Sequence, residues 1–288
     1  MRGWKRWTGP LAACLVLIVG PAAAAEVQQG GPRARIGGHE LSWECRGTGA
    51  TTVLLVEGMG LDARATFRNT FRNFEADGVQ VCLYDRAGVG SSSPLQQARP
   101  LKALSDELVA LAADRQWGQL VLVAHSFGGL VARSVALDHP GLVRGIVFVD
   151  AVHESWLDGL RQALSPTGWR TMESIIRWEK DQHSHEDFVE AVQSLTARRK
   201  PLTLPVTVLS RGLPHTQIRQ ARMSYADVDA YNATWDVAQA RLAQESSDMR
   251  QVRMRHASHL FDEQDPWLVI DEIKALLKRV EPRRTEGR

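Results

Sequence analysis

The stretch that decides the fold is residues 120–133, which read LVLVAHSFGGLVAR. The apolar run 120–124 predicts a buried strand, and residues 128–137 predict a helix. Small residues, Ala124 and Gly128, stand where the chain must turn sharply between the two. Such a turn lifts the hydroxyl of Ser126 clear of the sheet, at the N-terminus of the helix.

Other short apolar runs stop at glycine-rich or acidic turns on both sides of this stretch. Each is typical of a strand buried in a parallel sheet, and helical patterns separate them. This alternation predicts a doubly wound α/β sheet. The strands predicted in this way are 52–56, 79–84 and 145–149. Two further strands are predicted at 204–210 and 249–254. The predicted helices include the stripes at Phe67, Phe71 and Phe74 and at Leu101, Leu104, Leu108 and Leu111, and a closing helix over 266–277.

Residues 152–203 interrupt this alternation and predict a helical cap over the sheet. Trp156, Trp169 and Trp178 lie in it among charged residues with helical spacing. They could line an apolar acyl pocket or form the core of the cap itself. The segment 183–187, HSHED, resembles a metal motif, but it has no strand-end context to arrange ligands. We therefore expect a solvated charged face there and no metal.

A serine hydroxyl needs a base to become a nucleophile. His259 lies in the turn after the last predicted strand, where it should face Ser126. We prefer it to His256, which stands at the end of that strand.

The acid that orients this histidine is predicted to be Asp150, which directly follows strand 145–149. The turn after strand 204–210 contains no carboxylate. Three other acids would need a longer loop, and Asp150 could instead merely cap the segment that follows it. The three are Asp227, Asp229 and Asp236.

Acyl transfer also needs N–H donors for the negative oxygen of the transition state. The backbone N–H of Phe127, next to the nucleophile, is one candidate. The other is the N–H of Met59, in the turn EGMG after strand 52–56.

Residues 1–25 predict a signal peptide, and residues 26–288 a single domain. Arg2, Lys5 and Arg6 precede the apolar run 11–19, and small residues end the segment before Glu26. We expect an exported protein with no stable membrane anchor after cleavage, although an uncleaved anchor or lipidation at Cys14 stays open. The chain has 35 Lys and Arg against 33 Asp and Glu, so its charge balance predicts no nucleic-acid partner.

Taken in order, five segments resemble the α/β-hydrolase superfamily, particularly its secreted bacterial serine esterase-like members. They are EGMG (57–60), YDRAGVGSS (84–92), LVLVAHSFGGLVAR (120–133), IVFVDAVHES (146–155) and ASHLFDEQDP (257–266). The resemblance implies an α/β-hydrolase fold: a mostly parallel eight-stranded sheet with helices on both faces and a helical cap inserted after the sixth strand. Glu57, where many members have histidine, and Ala124 depart from the common pattern.

The same resemblance implies a serine hydrolase that cleaves small-molecule esters and needs no cofactor. Other acyl hydrolases with the same triad stay open, namely a lipase, thioesterase, lactonase, peptidase or perhydrolase, and so does a binding protein that has lost turnover. Hydrolases of this fold with an aspartate nucleophile are excluded by Ser126. The resemblance also pairs the strand near residues 41–45 with strand 79–84, which implies a disulfide between Cys45 and Cys82.

Overall fold

The computed structural model describes residues 31–198 and 200–280, so the predicted signal peptide lies outside the described residues. One eight-stranded sheet forms the centre. Its strands are β1 Arg33–Ile36, β2 His39–Gly47, β3 Thr51–Val56, β4 Val79–Tyr84, β5 Gln119–His125, β6 Val143–Val149, β7 Val206–Arg211 and β8 Met249–Met254. Their order in the sheet is β1-β2-β4-β3-β5-β6-β7-β8. Only the β1–β2 and β2–β4 pairs are antiparallel, which confirms the predicted, mostly parallel sheet.

Helices cover both faces of this sheet. They are α1 Ala63–Thr66, α2 Arg68–Asn73, α3 Leu101–Asp114, α4 Gly128–Asp138, α5 Ser155–Ala163, α6 Pro166–Gln182, α7 Phe188–Ala197, α8 Tyr225–Leu242, α9 Phe261–Gln264 and α10 Pro266–Val280, with a 3-10 helix at Gln217–Ala221. Along β3, Leu54 and Val56 pack into the apolar cluster of α3 and α4, whereas Val53 and Leu55 pack into that of α2 and α10. Within residues 31–198 and 200–280, no helix is long and apolar enough to span a membrane.

Helices α5, α6 and α7 form the predicted cap between β6 and β7. The ring of Trp156 contacts those of Tyr231 and Trp235, with centroids 5.2 and 4.9 Å apart, and both partners lie on α8. Trp156 is therefore core, packed between the cap and α8. Trp178 stacks on His183 instead, at 4.5 Å.

A disulfide joins β2 to β4. Cys45 and Cys82 face each other directly in the antiparallel register, and their sulfur atoms are bonded. The structure therefore contains the pairing that the family resemblance implied.

Removing this disulfide should lower stability by about 3–4 kcal/mol, because the bond closes a loop and restricts the unfolded chain. The two cysteines are 37 residues apart. Denaturant unfolding of Cys45→Ala/Cys82→Ala beside the wild type measures the loss. Reductant should lower the wild-type midpoint to that of the variant and leave the variant unchanged; equal midpoints without reductant would contradict the prediction.

Candidate active site

Ser126 occupies a strained turn between β5 and α4. Its φ is +50°, in the left-handed region that residues with a side chain rarely adopt. The turn is held where Val152 N donates to Ser126 O at 2.9 Å. A Cβ added to Gly128 would lie 2.5 Å from Val56 O, so the close approach of α4 to the end of β3 requires glycine. The local sequence and the packing thus agree on this turn.

His259 and Asp150 meet at the same edge of the sheet. His259 lies in the turn after β8 and Asp150 directly after β6, and both side chains are buried. The distance from His259 Nδ1 to Asp150 Oδ2 is 2.6 Å. A ring that donates from Nδ1 to a carboxylate keeps Nε2 as an acceptor. The structure therefore brings together the predicted base and the predicted acid, whereas His256 is exposed.

The surroundings of Asp150 keep it ionised. Trp235 Nε1 donates to it at 2.8 Å, and Arg211 Nη1 at 3.2 Å. Burial by itself would raise the pKa of Asp150, but the hydrogen bond from His259 and the charge of Arg211 outweigh burial and hold the pKa well below its usual range. Asp227, one of the alternative acids, instead accepts hydrogen bonds from the serines that cap two helices.

The sequence did not predict the roles of Arg211 and Trp235. Arg211 ends β7, next to the end of β6, so its strand-end position was a usable signal. Trp235 lies in the middle of α8 and reaches Asp150 across 85 residues of chain. No local pattern marks such a residue.

Two further histidines surround His259. The rings of His125 and His215 lie 4.5 and 5.1 Å from its ring, centre to centre. Burial lowers the pKa of His125 well below its usual value. Burial, with the nearby charges of His259 and Arg211, lowers the pKa of His215 to about 3. Both rings are therefore neutral at neutral pH and add no positive charge beside His259.

The buried His215 should make the protein less stable in acid. The unfolded chain binds a proton at this residue below pH 6.5, the ordinary pKa, while the folded chain does not. The free energy of unfolding of the wild type should therefore fall relative to His215→Gln by about 2 kcal/mol between pH 7 and pH 5, at about 1.4 kcal/mol per pH unit below pH 6.5. Urea unfolding of both proteins at several pH values measures the difference, and a constant difference would contradict the prediction.

The predicted oxyanion donors border Ser126. A Cβ on Gly58 would lie 3.2 Å from Ser126 Cβ, so the turn that carries Met59 runs directly past Ser126. Phe127 immediately precedes α4, and the N–H groups of a first helical turn have no partner within the helix. A cavity of about 80 Å³ lies on one side of His259, with apolar walls that include Leu61 and Phe261.

Comparison with known proteins gives the following likenesses. A family profile described as alpha/beta hydrolase fold matches residues 51–270. The pimeloyl-[acyl-carrier protein] methyl ester esterase of Proteus mirabilis is 27% identical over 191 residues, which cover 62% of this chain and 67% of the relative.

Solved structures give a similar result. A thermophilic esterase from Thermogutta terrifontis superposes with a TM-score of 0.57 at 22% identity, over 87% of this chain and 100% of the other. The enol-lactonase of Burkholderia xenovorans LB400 has a TM-score of 0.58 at 15% identity, over 86% and 100% of the two chains. At these identities the superpositions bear on the fold alone.

Proposed function

The chain belongs to the α/β-hydrolase fold family, and from this premise we propose that it is a serine hydrolase, a carboxylesterase that acts on small-molecule esters through an acyl-enzyme. One observation carries the proposal. The hydrogen bond between His259 and Asp150 lies at the sheet edge where the strained turn presents Ser126. The proposal assigns Ser126 as nucleophile, His259 as base and Asp150 as acid, the three roles that acyl transfer uses.

The proposed reaction has two steps. Ser126 Oγ attacks the ester carbonyl while His259 Nε2 takes its proton, and the tetrahedral intermediate expels the alcohol, which receives that proton. Water then attacks the acyl-enzyme, with His259 again as base, and the acid leaves as Ser126 is restored. The N–H groups of Met59 and Phe127 stabilise the oxyanion, and each is worth about 3–4 kcal/mol. These steps need no cofactor.

Short alkyl esters are the first substrates to test. The Proteus mirabilis relative is named as a methyl ester esterase. In this chain, the small apolar cavity beside His259 has room for a short alkyl group and offers few polar partners.

We also propose that the protein is exported to the periplasm or the medium. Two features support this: the signal-peptide pattern of residues 1–25 and the Cys45–Cys82 disulfide, a bond that persists in oxidising compartments.

The test is turnover of p-nitrophenyl esters of increasing chain length, combined with fluorophosphonate labelling and mapping of the labelled residue by mass spectrometry. We expect turnover, a burst of nitrophenol equal to the enzyme concentration when deacylation is slow, and a single adduct on Ser126. An adduct on another residue, or a protein that neither turns over nor labels, would overturn the proposal and favour a binding protein.

A further inference from the structure

The direction of the Met59 N–H follows from a hydrogen bond made by the Gly58 carbonyl, which belongs to the same peptide unit. In a trans peptide, C=O and N–H point in opposite directions. Gly58 O accepts a hydrogen bond from Arg86 Nη2 at 2.8 Å. Because this carbonyl points toward Arg86, the N–H of Met59 points away from Arg86.

Arg86 also contacts Glu57, the first residue of the same turn. Its Nη1 donates to Glu57 O at 3.0 Å and lies 3.1 Å from the Glu57 carboxylate. The Arg86 side chain is fully buried. A planar guanidinium with five donors can contact two carbonyls and two carboxyl groups together, which a lysine cannot.

The second carboxylate on Arg86 comes from the cap. Glu186 accepts from Arg86 Nε with one oxygen, and its other oxygen accepts from Gly60 N at 2.9 Å. Glu186 and its neighbour Ser184 are fully buried, so the solvated charged face expected for segment 183–187 is wrong. The segment turns inward at Glu186, which pairs with the Arg86 guanidinium.

Other residues of the cap also touch this turn. A Cβ on Gly60 would lie 2.6 Å from Glu179 Oε2 and 2.7 Å from His183 Nδ1, so the end of α6 packs directly against it. The backbone of Arg99 bonds both neighbours of Glu186: Arg99 N donates to His185 O at 2.7 Å, and Asp187 N donates to Arg99 O at 3.1 Å. These hydrogen bonds therefore fix the backbone on both sides of Glu186.

We propose that Arg86 and Glu186 are positioning residues that aim the Met59 N–H at the oxyanion, so that the cap is part of the oxyanion hole as well as a cover. The inference rests on the proposed function. A buried ion pair often adds little to stability, because desolvation offsets the attraction. The Arg86–Glu186 pair can still orient the turn that carries Met59, whatever it adds to stability.

Arg86→Lys and Glu186→Gln test the proposal. We expect kcat for a p-nitrophenyl ester to fall about 10- to 100-fold, because a misdirected donor loses most of the factor of about 10²–10³ that one oxyanion donor supplies. KM should stay within about twofold, because the ground-state ester has no oxyanion. The inhibition constant of a trifluoromethyl ketone, whose adduct carries an oxyanion, should rise in step with the fall in kcat/KM.

Arg133→Lys is the matched control. Arg133 is also fully buried and pairs with two carboxylates, those of Glu154 and Glu245, but its contacts lie away from the turn. The Arg133→Lys variant should be less stable than the wild type but keep a kcat near the wild-type value. If Arg86→Lys proves too unstable, Glu186→Gln alone decides, since glutamine keeps the shape and an oxygen for Gly60 N.

The outcomes separate the two proposals. If the wild type turns over and the inhibitor affinity and kcat of Glu186→Gln match the wild type, the positioning role is overturned and the proposed function stands. If the wild type itself neither turns over nor labels, the proposed function fails and the positioning role falls with it. A parallel fall of kcat in Arg133→Lys would show a general loss of packing and would also overturn the positioning role.

Discussion

Ser126→Ala is expected to lower kcat for a p-nitrophenyl ester by about 10⁶-fold, the size of effect that removal of a serine nucleophile has in triad hydrolases. Without Oγ no acyl-enzyme can form, so the nitrophenol burst should disappear as well. Stopped-flow and steady-state assays on the same preparation measure both quantities. KM should change little, because the hydroxyl contributes mainly to bond formation.

The control is Ser134→Ala, which replaces a buried serine within α4 whose hydroxyl contacts Arg198, Ser105 and Asp138. It should keep wild-type turnover, since these contacts lie outside the proposed site. If Ser126→Ala retained more than about one hundredth of the wild-type kcat, the nucleophile would have to be another residue.

Asp150→Asn is expected to lower kcat by about 10⁴-fold, as replacement of the triad aspartate does elsewhere. An asparagine amide can donate to Nδ1 of His259, and the ring proton then lies on Nε2. A protonated Nε2 cannot accept the proton of Ser126. The substitution also removes the negative charge that faces Arg211. Steady-state kinetics over pH 6–9 measures the loss.

Asp227→Asn is the matched control. Asp227 also accepts hydrogen bonds from side-chain and backbone groups, but those groups cap helices outside the site. We expect its kcat to stay within about twofold of the wild type. If instead Asp227→Asn lost activity and Asp150→Asn kept it, the acid would be misassigned.

Most of the sheet could be predicted from the sequence. Strands 79–84 and 249–254 were predicted with the bounds that β4 and β8 have, and the other predicted strands agree to within about two residues at each end. For β3 to β7, short apolar runs that stop at turns report burial on both faces. Strand β8 is half polar and mostly not buried, so this rule does not explain it. Helix α8 was not predicted; its stripe of buried residues is interrupted by polar ones, including the buried Asp227 and Gln239.

The cap shows where prediction from the sequence fails. Its helical content was predicted, but Glu186 was assigned to a solvated face because charge is usually exposed. Its partner, Arg86, is 100 residues away. A charge that is buried against a distant partner leaves no mark on its own neighbourhood in the sequence.

The sequence by itself determined the strand–turn–helix that carries Ser126, because side-chain size and apolar runs act over a few residues. The sequence favoured Asp150 as the acid but left Asp227, Asp229 and Asp236 open. The tertiary structure shows that Asp150 is the acid that faces His259, because residues 109 positions apart meet only when β6 and β8 end at the same edge of the sheet. It alone also decided that Trp235, Arg211 and the Arg86–Glu186 pair surround the site. Contacts of this kind depend on how the layers pack, and packing joins residues whose local sequences are unrelated.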